Sequence, residues 1–65
     1  MHEIPLNRTE RAEIMALAGN QNPVAAGHAL LEMAGRMRRA GRPAEAVKRV
    51  IDEAYSCFCF AGAAS

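Results

Sequence analysis

The feature that most constrains this 65-residue chain is the short break between its two longest helical patterns. Gly41 and Pro43 stand at this break, and apolar residues recur at helical spacing on both sides of it. Glycine typically ends a helix and proline typically begins one, so only about three residues separate the two helices. A turn this short brings consecutive helices back alongside each other. The sequence therefore predicts an antiparallel helical hairpin.

The apolar spacing predicts three helices, at about residues 8–18, 23–40 and 43–58. The first is short and has a narrow apolar face, so it needs the other two for stability. No strand candidate has a partner, and the chain is long enough for only one small domain. We therefore expect an all-α, three-helix domain with the short first helix packed on the antiparallel hairpin.

Capping residues mark the helix ends. Asn7 can accept a hydrogen bond from the first turn of the first helix, and Glu10 can return one to complete a capping box. Gly19 is expected to end that helix in the left-handed conformation. Asn22, followed by a proline, fits the start of the second helix, and Gly41 fits its end.

Apolar residues at spacings of three and four are expected to hold the hairpin together. They are Leu30, Met33, Met37, Val50 and Ile51. Met15 is expected to join this core. Gly27 and Gly35 interrupt the second helix, and each costs roughly 1 kcal/mol relative to alanine. A close helix contact at one or both positions would explain these glycines.

Part of the hairpin follows a known repeat pattern. Leu30, Met33, Ala34 and Met37 occupy the positions of W-x2-L-G-x2-Y, and Ala46 and Val50 occupy those of A-x3-F. This spacing resembles one tetratricopeptide repeat, without the closing proline and in a single copy. The resemblance implies a helical hairpin that offers a peptide-binding or subunit-docking surface, rather than an active site.

Basic residues are concentrated around the turn. Six of the eight lysines and arginines lie there: Arg36, Arg38, Arg39, Arg42, Lys48 and Arg49. Such a cluster can contact phosphates, so a small DNA-associated transcriptional regulator is an alternative function. Its nucleic-acid contacts would be Arg38, Arg39, Arg42, Lys48 and Arg49.

Acidic residues near the basic segment favour a different interpretation. Glu32, Glu45 and Asp52 each stand four residues from a cation, namely Arg36, Arg49 and Lys48. Ion pairs within each helix are therefore expected. The net charge is only +1, which is low for a protein that binds nucleic acid through its charge. We expect most of these charges to face water.

Histidine and cysteine give weak signals for chemistry. His2, His28, Cys57 and Cys59 could supply four zinc ligands, but C-x-C is not the usual spacing of structural zinc sites. A disulfide between Cys57 and Cys59 would be strained. No spacing indicates a nucleophile with its base. We expect no metal, no cofactor and no enzymatic activity, and a redox or metal role of the cysteines stays open.

The end of the third helix is unusually apolar. Phe58 continues the apolar stripe of this helix, while Phe60 points about 200° away from it. A chain this small cannot cover both sides, so a partner is expected to cover one. We expect Tyr55, Phe58, Cys59 and Phe60 to form a protein interface. Arg38, Arg39 and Arg42 would form a steering rim around it.

These observations predict a small non-enzymatic protein-interaction module: an adaptor, a small subunit or an inhibitor. Small chains often gain stability by oligomerising, so we expect a homodimer. No apolar stretch is long enough for a membrane span or suits a secretion signal, so a cytoplasmic location without membrane contact is expected.

Overall fold

The computed structural model describes residues 6–64, and three α-helices make up most of this range. They are α1 (Arg8–Ala18), α2 (Pro23–Arg39) and α3 (Ala44–Ala64). Within residues 6–64 there is no β-strand, which confirms the all-α prediction. The prediction for the end of α3 was wrong, because the helix continues past residue 58 to Ala64. Alanine is the best helix former, so the alanine-rich tail favours this extension.

The first two helices begin as the sequence predicts. Asn7 Oδ1 accepts a hydrogen bond from the Glu10 backbone N–H at 2.7 Å, and the Asn7 N–H donates to Glu10 Oε1 at 2.9 Å. This is the predicted capping box. Asn22 Oδ1 caps α2 by accepting from the N–H groups of Val24 at 3.0 Å and Ala25 at 3.2 Å. Local side chains therefore satisfy first-turn N–H groups of both helices.

The ends of α1 and α2 differ from each other. Gly41 has a φ of 81°, so glycine serves the left-handed turn after α2 as predicted. Gly19 was predicted to do the same after α1, and this was wrong, since its φ is −77°. The N–H groups of Gly19 and Asn20 donate to the carbonyls of Met15 and Leu17 at 3.1 and 3.2 Å. These bonds finish α1 without a left-handed residue.

α2 and α3 form the predicted antiparallel hairpin and pack together extensively. Gly27, near the start of α2, lies against Phe58, near the end of α3. Arg38, near the end of α2, borders the same groove as Val47, near the start of α3. The buried apolar residues are Ile14, Ala26, Leu30, Met33, Ala34, Met37, Ala46, Val47, Val50 and Ala54. Of the five residues predicted to hold the hairpin together, four are buried and Ile51 is half-buried.

α1 lies across the hairpin and contacts both of its helices, though less than they contact each other. Ile14 is buried and Leu17 is half-buried against the core. Met15 was predicted to be in the core, and this was wrong, because its side chain is 75% exposed. One residue further along a helix turns a side chain by about 100°, which takes Met15 off the face that Ile14 buries.

The two glycines within α2 have different surroundings. A Cβ at Gly27 would lie 2.5 Å from Cε1 of Phe58, so the absence of a side chain lets the phenyl ring pack on the helix backbone. A Cβ at Gly35 would meet only the end of the Arg39 side chain, at 3.7 Å. The predicted close helix contact is therefore present at Gly27. Within residues 6–64, no contact explains Gly35.

None of the three helices, over the range that is described, combines the length and the apolarity needed to cross a membrane.

Candidate protein-interaction surfaces

Two ion pairs join α1 to the basic segment. Arg42 Nε donates to Glu10 Oε2 at 2.6 Å, and Arg42 Nη2 donates to Glu10 Oε1 at 2.8 Å. Arg36 Nη2 donates to Glu13 Oε2 at 2.5 Å. Glu10 and Glu13 are three residues apart, so they share the side of α1 that meets the hairpin. The packing of α1 thus neutralises two of the cations near the turn.

The ion pairs predicted within the helices do not form in the described part of the chain. Glu32, Glu45 and Asp52 make no salt bridge to a neighbouring cation there. Arg36 instead turns to Glu13 on α1. Spacing of four residues permits such a pair but adds little free energy at an exposed site, so a partner on another helix can replace it.

Glu10 is the most buried charged residue of the described chain, with 8% of its surface exposed. The hydrogen bond from the Arg42 guanidinium lowers the pKa of Glu10, although burial of the carboxyl opposes this change. The same hydrogen bond raises the pKa of Arg42. Glu10 therefore stays ionised at neutral pH, and its charge compensates that of Arg42. Arg42 is held in this pair rather than offered as part of a steering rim.

The other predicted nucleic-acid contacts lie on different sides of the hairpin. Arg38 and Lys48 border one groove between α2 and α3. Arg39 borders a second groove with Glu32. Arg49 borders a third, on the α1 side of α3, with Asp52. Lys48 and Arg49 also border one depression, where Glu45 and Asp52 balance their charge. The basic segment is continuous in sequence but does not form one cationic face.

The aromatic residues of α3 also divide between two sides. Phe58 is half-buried and makes edge contacts with His28, at a ring-centroid distance of 5.2 Å, and with Tyr55, at 6.4 Å. Tyr55 is 58% exposed and Phe60 is 67% exposed. Five residues of helix place Phe60 about 140° around α3 from Tyr55. The structure thus brings Tyr55 and Phe58 together but separates Phe60 from them, and it leaves Cys59 exposed.

One surface, which we call the α1/α3 groove, consists of two adjoining depressions of about 320 and 350 Å³ that share Glu53 and Ser56. Its apolar residues are Leu6, Ile14, Met15, Ala18, Pro23, Cys57 and Phe60. Its charged residues are Arg11, Arg49, Asp52 and Glu53. Within residues 6–64 these four charges form no ion pair. The groove therefore combines exposed apolar side chains with equal numbers of cations and acids.

The second surface, which we call the open face, lies on the side of the hairpin away from α1. It is formed by His28, Leu31, Gly35 and Arg38 of α2 and by Lys48, Ile51 and Tyr55 of α3. These residues recur at spacings of three and four along each helix. Arg36, which binds α1, is about 200° around α2 from Arg38. No helix of the described chain covers the open face.

Metal ligands are not brought together in the part of the chain that the structure describes, since no three His, Cys, Asp or Glu side chains there could hold an ion. Cys57 is half-buried against the core, and both thiols are free. His2, the fourth ligand considered for zinc, lies outside the described residues.

Sequence reasoning missed three features of these surfaces. Glu10 was assigned only to the cap of α1, and its pairing with Arg42 across the fold carries no signal in local spacing. The exposure of Met15 was also missed. The open face did have a signal, because residues 28, 31, 35 and 38 keep the spacing of a second helical stripe.

No protein-family model, curated protein or solved structure matches this chain.

Proposed function

We propose that the chain is a small non-enzymatic protein-interaction module, an adaptor, small subunit or inhibitor, that acts as a homodimer. The observation that carries this proposal is the exposure of Met15 and Phe60, at 75% and 67%, along the α1/α3 groove. Removing large apolar side chains from water is the main driving force of protein association. Burial of this groove in an interface would therefore stabilise the protein.

The charges of the α1/α3 groove support a second copy of the chain as its occupant. In a dimer with two-fold symmetry the same patch meets itself, so the patch must be complementary to itself. Arg11 and Arg49 supply cations and Asp52 and Glu53 supply acids, all of them exposed. A two-fold axis can place the cations of one copy opposite the acids of the other.

The tetratricopeptide-repeat resemblance stays a prediction and is compatible with this proposal. All six of its positions are buried: Leu30, Met33, Ala34, Met37, Ala46 and Val50. The resemblance therefore rests on the residues that pack α2 against α3, and such a hairpin suits protein docking. We also propose a cytoplasmic location, which suits the free thiols of Cys57 and Cys59.

A DNA-associated regulator is less well supported. Affinity for nucleic acid depends on several cations that meet neighbouring phosphates at once. Here Arg42 is bound to Glu10, while Arg38, Arg39 and Arg49 border different grooves. A salt titration with duplex DNA tests this alternative, because a DNA-binding protein loses affinity steeply as salt rises.

Sedimentation equilibrium tests the homodimer. We expect the wild-type chain to sediment at the mass of two chains, and Phe60→Ser and Met15→Ser each to weaken dimerisation by at least about tenfold. Val24→Ser is the matched control, because Val24 is exposed but does not line the α1/α3 groove. Phe58→Ser is avoided, since Phe58 packs on Gly27 within the chain.

Far-UV circular dichroism of each variant shows whether its helices remain. A folded wild-type chain that sediments as a monomer at about 0.1 mM would rule out the proposed dimer, since a stable interface of ordinary size binds far more tightly. Equal weakening by all three substitutions would place the interface elsewhere.

A further inference from the structure

We propose that the open face binds an acidic amphipathic helix of a different protein, an inference that rests on the proposed protein-interaction function. The open face runs along both helices of the hairpin and is separate from the α1/α3 groove. Its shape, one glycine and its charge each point to this occupant.

The spacing of the open face suits a helix. His28, Leu31 and Gly35 on α2, like Lys48, Ile51 and Tyr55 on α3, repeat every three or four residues. Two such seams on neighbouring helices form the groove into which a third helix packs its own apolar residues. Leu31 and Ile51 are half-buried and Tyr55 is exposed, so an apolar strip is available for this contact.

Gly35 lies where a docked helix would pass closest to α2. It borders a shallow groove of about 520 Å³ together with His28 and Leu31. Glycine within a helix costs roughly 1 kcal/mol relative to alanine, and among residues 6–64 only the end of the Arg39 side chain comes near Gly35, without requiring a glycine. The absence of a side chain lets the backbone of a partner approach closely. Gly27 already serves this purpose for Phe58 inside the chain.

Charge indicates which kind of helix binds. Arg38 and Lys48 border a groove of about 330 Å³ that Val47 and Ile51 also line, and no acidic residue among residues 6–64 borders it. Neither cation forms an ion pair within residues 6–64. In the described part of the chain, Glu32 is the one acid that borders the adjoining groove, which Arg36 and Arg39 border as well, and Arg36 is paired with Glu13.

An excess of cations disfavours a second copy here, because two open faces would bring like charges together. Acidic side chains flanking an apolar stripe would instead pair with Arg38 and Lys48. Arg42 also borders this groove, but its guanidinium is engaged by Glu10.

Fluorescence anisotropy with designed peptides tests the inference. The probe is a labelled 21-residue helical peptide with leucine at heptad positions a and d and glutamate at e and g. The comparison peptide carries lysine at e and g and is otherwise identical. We expect the acidic peptide to bind at least about tenfold more tightly than the basic one.

Two variants test the site on the protein. Lys48→Glu reverses one charge of the open face, and Gly35→Leu fills the space for the partner's backbone. Each is expected to weaken binding of the acidic peptide by at least about tenfold. Arg8→Glu makes the same charge reversal on α1, on the other side of the hairpin from the open face, and is expected to change the affinity less than about twofold.

Absence of binding by the acidic peptide, equal affinity for the two peptides, or equal loss with Arg8→Glu and Lys48→Glu would each overturn the inference. Displacement of the peptide by duplex DNA with a steep salt dependence would assign the face to nucleic acid instead. Sedimentation of the same samples without peptide tests the homodimer separately from peptide binding at the open face. A dimer that ignores the acidic peptide contradicts this inference and leaves the proposed dimer standing.

Discussion

At the scale of single residues, the same amino acid has different consequences at two positions of α2. The sequence predicts that a close helix contact explains Gly27, Gly35 or both. The structure shows this contact at Gly27 alone, where the ring of Phe58 occupies the space of a side chain. Local spacing cannot decide between the two positions, because it does not fix which residue of α3 lies opposite each glycine.

Substituting each glycine by alanine checks this difference. Gly35→Ala gains helix propensity at an open position, so the free energy of unfolding should rise by about 1 kcal/mol. Gly27→Ala displaces the Phe58 ring, so the free energy of unfolding should fall by about 1 kcal/mol although helix propensity rises equally. Urea denaturation measures both values. In a Phe58→Ala background Gly27→Ala should become stabilising, and a gain at both positions in the wild-type chain would contradict the proposed contact.

Glu10 should make stability depend on acidity. Its pKa in the folded chain is lowered, chiefly by the hydrogen bond from Arg42, whereas in the unfolded chain it is about 4.3. Ionised Glu10 therefore stabilises the folded chain fully above about pH 4.3. This stabilisation disappears as the pH falls through the pKa of Glu10 in the folded chain.

Urea denaturation from pH 7 to pH 2.5 of the wild type and Glu10→Gln checks this prediction. Wild type should be the more stable at pH 7, and the difference should shrink in acid as the wild-type carboxylate becomes protonated. In an Arg42→Ala background, the effect of Glu10→Gln on the free energy of unfolding should lose most of its pH dependence. A constant difference between wild type and Glu10→Gln over the whole range would show that the ion pair does not stabilise the fold.

At the scale of elements, α1 is the helix that depends most on its neighbours. It has 11 residues, too few for stability in isolation, and it buries little apolar surface. Ile14 and two ion pairs attach it to the hairpin. The bounds and cap of α1 were predictable from Asn7 and Glu10. The side that it presents to the hairpin was not, because its narrow apolar face includes both Ile14, which is buried, and Met15, which is exposed.

Neighbouring substitutions in α1 separate its buried side from its exposed side. Ile14→Ala should lower the free energy of unfolding by about 2 kcal/mol, and it should remove hydrogen-exchange protection from α1 before the centres of α2 and α3. At protein concentrations where the chain is monomeric, Met15→Ala should leave both nearly unchanged, because the Met15 side chain of a single copy is mostly exposed. Equal effects of the two substitutions would show that α1 is not docked through Ile14.

At the scale of the whole molecule, the antiparallel hairpin followed from one local feature, the short turn at Gly41 and Pro43. Its core followed from apolar spacing, because residues three and four apart share a face of a helix. The ion pairs of Glu10 with Arg42 and Glu13 with Arg36 could not be predicted. They join residues far apart in sequence, and their formation depends on how α1 crosses the hairpin.

The candidate interaction surfaces were also predictable in part, because helix geometry fixes which residues of α3 share a side. Helix geometry predicted that Phe60 would lie outside the core, and this is confirmed. The same geometry separates Phe60 from Tyr55 by about 140°, so two surfaces could have been predicted in place of one. The extent of each surface depends on α1, which leaves one side of the hairpin open.

The position of these two surfaces on opposite sides of α3 has a consequence for assembly. If two copies join through the α1/α3 groove, each copy keeps its open face, and the resulting particle is bivalent. A target with two suitable helices on one chain would then gain avidity from effective concentration, without any additional contact. Such a particle could also bridge two separate targets.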